Sequence, residues 1–157
     1  MNVQLHTAPD VFVHLADEWD ALIDARDSTL FFMRSDWLRL WWKHLGHGEL
    51  TVWTIHDDDH SLMGMAPLLI DKQNGKLVAS MIGCEEVTDY VDLVYPSDNE
   101  GATDALAALL KEICSPKSPH WDEWHICNIP ESSKTLAILP GLAQRYGLKV
   151  EQQIADV

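Results

Sequence analysis

The stretch Leu62–Ile82, LMGMAPLLIDKQNGKLVASMI, decides the class of fold. Its first part, Leu62–Ile70, is almost wholly apolar, the pattern of a strand covered on both faces. Lys72-Gln73-Asn74-Gly75 is polar and ends in glycine, which reads as a turn. Leu77–Ile82 follows as the next β-forming run. Upstream, Leu50–Ile55 is rich in β-branched and aromatic residues and is separated from Leu62 by the polar turn Asp57–Ser61. Strands joined by turns this short pair antiparallel. Pro67 lacks an N–H for the ladder, so its strand needs a bulge or a free edge there.

Toward the N-terminus, Val3–Leu5 predicts a short first strand. Pro9 suits a first helical turn, and Val11, Leu15, Trp19, Leu22 and Ile23 recur at helical spacing, which predicts one helix over 9–25 ended by Arg26–Thr29. A second helix is expected from an N-cap at Ser35 through Leu45, stopped by Gly46 and Gly48. Leu38, Trp42 and Leu45 form its expected inner row, with Trp41 beside them and Trp37 on a more open edge. Arg39 and Lys43 lie on a solvated side.

Toward the C-terminus, Tyr90–Tyr95 reads as a fourth strand of this group after the Gly83–Asp89 connection. Ala102–Cys114 is an Ala/Leu-rich helix, Trp121–Ile129 a strand, Ser132-Ser133 the cap of a helix to about Leu142, and Gly147–Ile154 a last strand. The expected order is β-α-α-β-β-β-β-α-β-α-β, an α/β fold whose mixed, largely antiparallel sheet is flanked by helices.

The chain has 157 residues, enough for one domain with a sizeable core. It carries 25 acidic residues against 11 Lys plus Arg, which argues against a nucleic-acid partner. No apolar run reaches the ~18 residues of a membrane span. The first ten residues have no basic region leading into an apolar run, so a cytoplasmic location is expected. Cys84, Cys114 and Cys127 are an odd number without a CxxC pair, which argues against a disulfide framework. His125 and Cys127 share a strand face but lack the further ligands of a zinc site, so no metal is expected.

Five segments in order, EWDALID (Glu18–Asp24), LFFMRSDWLRLWWKHLG (Leu30–Gly46), LMGMAPLLI (Leu62–Ile70), MIGCEEVTDYVDLVY (Met81–Tyr95) and WDEWHICNIPESS (Trp121–Ser133), resemble the N-terminal half of the CelD/BcsL-like proteins. These are GNAT-superfamily acetyltransferases linked to cellulose or exopolysaccharide synthesis and related to the FemAB peptidyltransferases. The resemblance implies acyl-CoA-dependent acyl transfer by two GNAT-like halves, with the cofactor loop in the second. It makes residues 1–157 a single GNAT-like domain whose partner is the missing C-terminal half or a second copy.

A GNAT domain holds the CoA pyrophosphate on backbone N–H groups at a helix N-terminus, usually in a loop of the type Gln/Arg-x-x-Gly-x-Gly/Ala. The corresponding junction, Tyr95–Ala102, has Gly101 alone as glycine, loses a donor at Pro96, and carries Asp98 and Glu100. Neither acetyl-CoA nor another acyl-CoA is therefore expected to bind this chain. The candidate acceptor site is Asp89, Tyr90 and Asp92, with Tyr90 and Asp92 expected on one strand face and Asp89 on the other. Two carboxylates and a phenol suit a cationic amine or a sugar. Arg34 and Trp37, near the start of the tryptophan helix, are the further candidates, because the first two helices of such a fold flank the acceptor cleft. No P-loop, Gly-x-Ser-x-Gly elbow, His-Glu-x-x-His or dinucleotide fingerprint is present. No catalytic residue is assigned. The alternative to an enzyme domain is a non-catalytic binding or dimerisation module.

Overall fold

The computed structural model describes residues 1–26, 28–84 and 87–154. Five strands form one sheet in the order β1-β2-β3-β4-β5: Asn2–His6, Glu49–His56, Leu62–Gln73, Lys76–Met81 and Glu123–His125. Strands β1 to β4 are antiparallel neighbours, and β5 adds to β4 in parallel, with Val78 opposite Glu123 and Ser80 opposite His125. The helices are α1 (Val11–His14), α2 (Ala16–Asp24), α3 (Ser35–Leu45), α4 (Asn99–Ile113) and α5 (Lys134–Arg145), with a 3-10 helix over Ser28–Met33. This is the α/β sheet with flanking helices that the sequence predicts.

Several elements differ from expectation. The helix over 9–25 is two helices, broken at Leu15, whose φ of −101° and ψ of 8° leave the α-helical well. Its expected end falls partly on Asp27, outside the described residues. Gly147–Ile154 adds no strand, and β5 keeps three of the nine residues expected over Trp121–Ile129. Tyr90–Tyr95 is not a ladder strand. It makes one isolated bridge, Val94 to Met65, with both backbone bonds formed.

Pro67 accounts for that last difference. The β4 ladder on β3 ends at Leu68 opposite Met81, and the Pro67 carbonyl takes one more bond, from Ile82 N–H. Pro67 offers no N–H toward the same side. The chain leaves the β4 line after Ile82 and rejoins it at Val94, so the break expected at Pro67 lies on its β4 side. Gly64 permits the return, since a Cβ there would stand 2.4 Å from the Val94 carbonyl oxygen.

Helix α3 is also set differently. Arg34, not Ser35, occupies the N-cap position, and its side chain makes no capping bond. The cap comes from α2 instead: Asp20 accepts from Ser35 N–H at 2.8 Å and from its hydroxyl at 2.9 Å. The buried row of α3 is therefore Ser35, Leu38 and Trp41. Trp42 is half-buried and Leu45 is exposed, which corrects the expected inner row. Trp19 locks the same region, donating its indole N–H to the Met33 carbonyl at 2.7 Å from a fully buried position.

Trp41→Ala should lower the unfolding free energy in urea by about 3–5 kcal/mol, the usual cost of emptying a buried aromatic site. Trp42→Ala should cost distinctly less, and equal losses at the two positions would contradict this assignment of faces.

Candidate functional site

The excursion from Gly83 to Leu93 builds the site, although Glu85 and Glu86 within it lie outside the described residues. Gly83 starts it with φ of +82°, and its carbonyl accepts the Thr88 hydroxyl. Asn128, also at positive φ, holds it on the far side: Val91 N–H donates to the Asn128 carbonyl at 3.2 Å. The excursion thus spans the place where β4 and β5 part.

The structure joins Cys84 and Cys127 in a disulfide across the same place, with Cα atoms 5.5 Å apart. This overturns the expectation of unpaired cysteines. Residues 43 apart in sequence meet because β4 and β5 run parallel and end side by side. Cys114 stays free. Among the described residues no three metal-ligating side chains cluster, and no helix is long and apolar enough to cross a membrane.

The three candidates on the excursion separate. Asp89 and Tyr90 are exposed, whereas Asp92 is buried. Tyr90 and Asp92 therefore do not share an outward face, because this segment is not a pleated strand. Tyr90 lines an open groove of about 550 Å³ with Pro130, Glu131 and Ser132.

Asp92 points inward to the start of α5. It accepts from the Ser133 hydroxyl at 2.5 Å, the Thr135 hydroxyl at 2.6 Å and Leu93 N–H at 2.8 Å. The Tyr95 hydroxyl closes the cluster, 3.0 Å from Thr135 Oγ1 and 3.2 Å from Ser133 Oγ. The Arg26 guanidinium lies over the Tyr95 ring at 4.9 Å. Burial pushes the Asp92 carboxyl above its ordinary value, and the three donors and Arg26 offset this only in part. Arg26, Tyr95, Ser133 and Thr135 were not marked as site residues by the sequence. The one local signal was Ser133 as a helix cap, and its hydroxyl does accept from Thr135 N–H at 3.0 Å.

Arg34 and Trp37 belong to a different assembly. Arg34 donates to Asp24 at 2.6 Å and lies 3.6 Å from Asp20, so its charge is engaged by α2. Trp37 is half-buried against Phe32, with ring centroids 5.2 Å apart, and its indole nitrogen is buried without a partner among the described residues.

At the α4 N-terminus, Asp98 is the N-cap and accepts Gly101 N–H at 2.7 Å. That bond holds its carboxyl below the ordinary value. Lys134 donates to the neighbouring Ser97 carbonyl. The helix begins at Asn99, three residues before the expected Ala102. A backbone N–H that a phosphate would need is already taken by a carboxylate of the chain itself.

The Asp92 shift has a definite sign. Its folded value lies above the unfolded one, so the unfolded chain holds fewer protons at this site and stability falls as pH rises through that window. Urea unfolding of wild type and Asp92→Asn over about pH 4 to 7 checks this. Wild type should lose stability relative to the variant as pH rises, and a relative gain would contradict the burial effect.

No family model matches the chain, and no curated protein matches it. Solved structures do match in fold. An aminoglycoside acetyltransferase from an uncultured soil metagenomic sample, in complex with sisomicin, is 13% identical over 99% of this chain and 93% of its own, with a TM-score of 0.52. The ribosomal-protein-alanine N-acetyltransferase of Brucella melitensis biovar Abortus 2308 is 10% identical over 100% of this chain and 99% of its own, with a TM-score of 0.53. The GCN5-related glucosamine N-acetyltransferase region of a fungal multi-domain β-N-acetylglucosaminidase is 13% identical over 97% of this chain and 17% of that one, with a TM-score of 0.54. At these identities the likeness is one of architecture, and the architecture is the GNAT acetyltransferase fold.

Proposed function

We propose that this chain is the N-terminal domain of a GNAT-type acyltransferase of the CelD/BcsL-like kind, linked to polysaccharide or cellulose synthesis. In this reading it shapes the acceptor site, while a second GNAT-like half holds the acyl-CoA. The observation that carries it is the self-capped start of α4. Gly101 N–H is bonded to Asp98, Pro96 has no N–H, and Glu100 adds a second negative charge. An acyl-CoA pyrophosphate does not fit there, because it would have to displace one carboxylate and sit beside another.

The acceptor side of the proposal rests on the groove at Tyr90. Asp89, Tyr90 and Glu131 are exposed on or beside it and suit a cationic amine carried on a sugar. The fold neighbours that act on or bind amino sugars support the same class. Asp92 serves this surface from behind by fastening the excursion to α5. Of the other two candidates, Trp37 keeps an indole donor for an acceptor or for the second half, and Arg34 fixes the α2–α3 corner on which Trp37 stands. Acyl transfer needs the acceptor deprotonated and a donor for the oxyanion, and the second half supplies both. The reading keeps the cytoplasmic location.

A second reading, a non-catalytic binding or dimerisation module, is favoured by Phe31, Leu40 and Leu45, which are exposed along and beside α3. Two measurements separate the readings. Isothermal titration with acetyl-CoA should give no saturable binding to residues 1–157, and a micromolar dissociation constant would overturn the cofactor-free assignment. The gene's full reading frame should encode a downstream glycine-rich CoA loop and show acetyltransferase activity on amino sugars. A frame that ends at Val157, with a dimer on sizing chromatography, would favour the module.

A further inference from the structure

The groove beside Tyr90 has two walls that come from separate segments. Tyr90 belongs to the excursion, and Pro130, Glu131 and Ser132 belong to the segment that leaves β5. The same two segments are joined at both ends of the groove. After Tyr90, Asp92 accepts from the Ser133 and Thr135 hydroxyls, a buried anchor with several bonds. Before Tyr90, the Cys84–Cys127 disulfide ties the excursion to the chain just ahead of Pro130.

Between these ties little else holds the Tyr90 wall. Among the described residues, the N–H bonds that cross from the excursion to the other wall before Asp92 all involve Asn128. Val91 N–H donates to its carbonyl at 3.2 Å, and its side-chain amide donates to the Cys84 and Thr88 carbonyls at 3.3 and 3.5 Å. Asn128 is exposed and follows directly on Cys127, so water competes for these long bonds and their geometry depends on the disulfide. Val87 shows that the segment is held from its ends. It is β-branched, sits at φ +58° and is 63% exposed, so its own side chain does not pack to stabilise a conformation such residues rarely adopt. A residue at such a φ persists where its surroundings fix the chain on either side. Cys84 fixes one side, and Val91 and Asp92 fix the other.

We propose, resting on the reading of this groove as the acceptor surface, that Cys84 and Cys127 are a redox-operated clamp on it. The disulfide holds the two walls together, and the dithiol releases the Tyr90 wall about its Asp92 anchor. Both cysteines are half-buried and line a cavity of about 140 Å³, so the bond is not sealed in the core. In a reducing compartment the pair is a dithiol until an oxidant reaches it. Closure transfers two electrons and two protons: two thiols become one Sγ–Sγ bond, and a low-molecular-weight disulfide becomes two thiols. Opening is the same exchange in reverse. Cys114, just past the end of α4, is outside the clamp.

The test uses residues 1–157 with Cys114→Ser, so that the pair alone exchanges, in glutathione buffers from fully reduced to fully oxidised. Alkylation with mass spectrometry reads the thiols, amide hydrogen exchange reads the excursion, and calorimetric titration with glucosamine reads the groove. Oxidation should protect the Thr88–Val91 amides, and reduction should speed their exchange about tenfold or more while β2, β3 and α4 keep their protection. Glucosamine should bind the oxidised form more tightly than the reduced one. Cys84→Ser with Cys127→Ser should behave as the reduced form in every buffer. Thiols that stay reduced in glutathione disulfide, equal exchange in the two forms, equal and measurable glucosamine affinity, or loss of protection across the whole sheet on reduction would each overturn the clamp. Redox-dependent exchange at Thr88–Val91 with no glucosamine binding to either form would support the clamp and overturn the acceptor reading.

Discussion

The missing N–H of Pro67 is the constraint on which the rest of this structure turns. A central strand with a full set of donors would hold its neighbour in register along its whole length. Here the β4 ladder stops at Met81, the Pro67 carbonyl takes a single bond from Ile82, and the line resumes only at Val94. What lies between is released from the sheet. That release lets Tyr90 stand on the surface and Asp92 turn inward within three residues of each other. It also brings the excursion across the parting of β4 and β5, where Asn128 and the Cys84–Cys127 link hold it.

The acidic composition has a structural use beyond solubility. Asp20 caps α3, Asp98 caps α4, Asp57 accepts Ser61 N–H in the β2–β3 turn, and Asp122 accepts Leu77 N–H at the start of β4. In each case a carboxylate occupies backbone donors that would otherwise face water or an anion. The bond from Gly101 N–H to Asp98 at the start of α4 is one instance of that wider arrangement.

The helices and the antiparallel strands were legible because their signals are local. The apolar run of Leu62–Ile70, the turn at Asn74-Gly75 and the 3.6-residue spacing through Trp19 and Ile23 each refer to neighbours in sequence. The faces were less legible. Leu38, Trp41 and Trp42 lie within little more than one turn, and helical spacing alone does not say whether Trp41 or Trp42 points to the core. The position of α2, fixed through Asp20 on Ser35 and Trp19 on Met33, makes that choice. Asp89, Tyr90 and Asp92 were singled out together on sequence, with Tyr90 and Asp92 on one face, but the partners that bury Asp92 were not, because they come from segments that meet only in the fold.

By itself, the sequence determined the α/β class, the antiparallel hairpins, a break at Pro67 and an acidic, glycine-poor junction over Tyr95–Ala102 ahead of a helix. Each follows from backbone chemistry within a few residues: a donor that proline lacks, or a carboxylate next to the N–H groups it caps. Only the tertiary structure decided that Cys84 meets Cys127, that Asp92 is buried on Ser133 and Thr135 while Tyr90 is not, and that the Trp41 indole N–H has no partner among the described residues. Those outcomes depend on which strands and helices come to lie side by side, and so on packing between residues far apart in the chain.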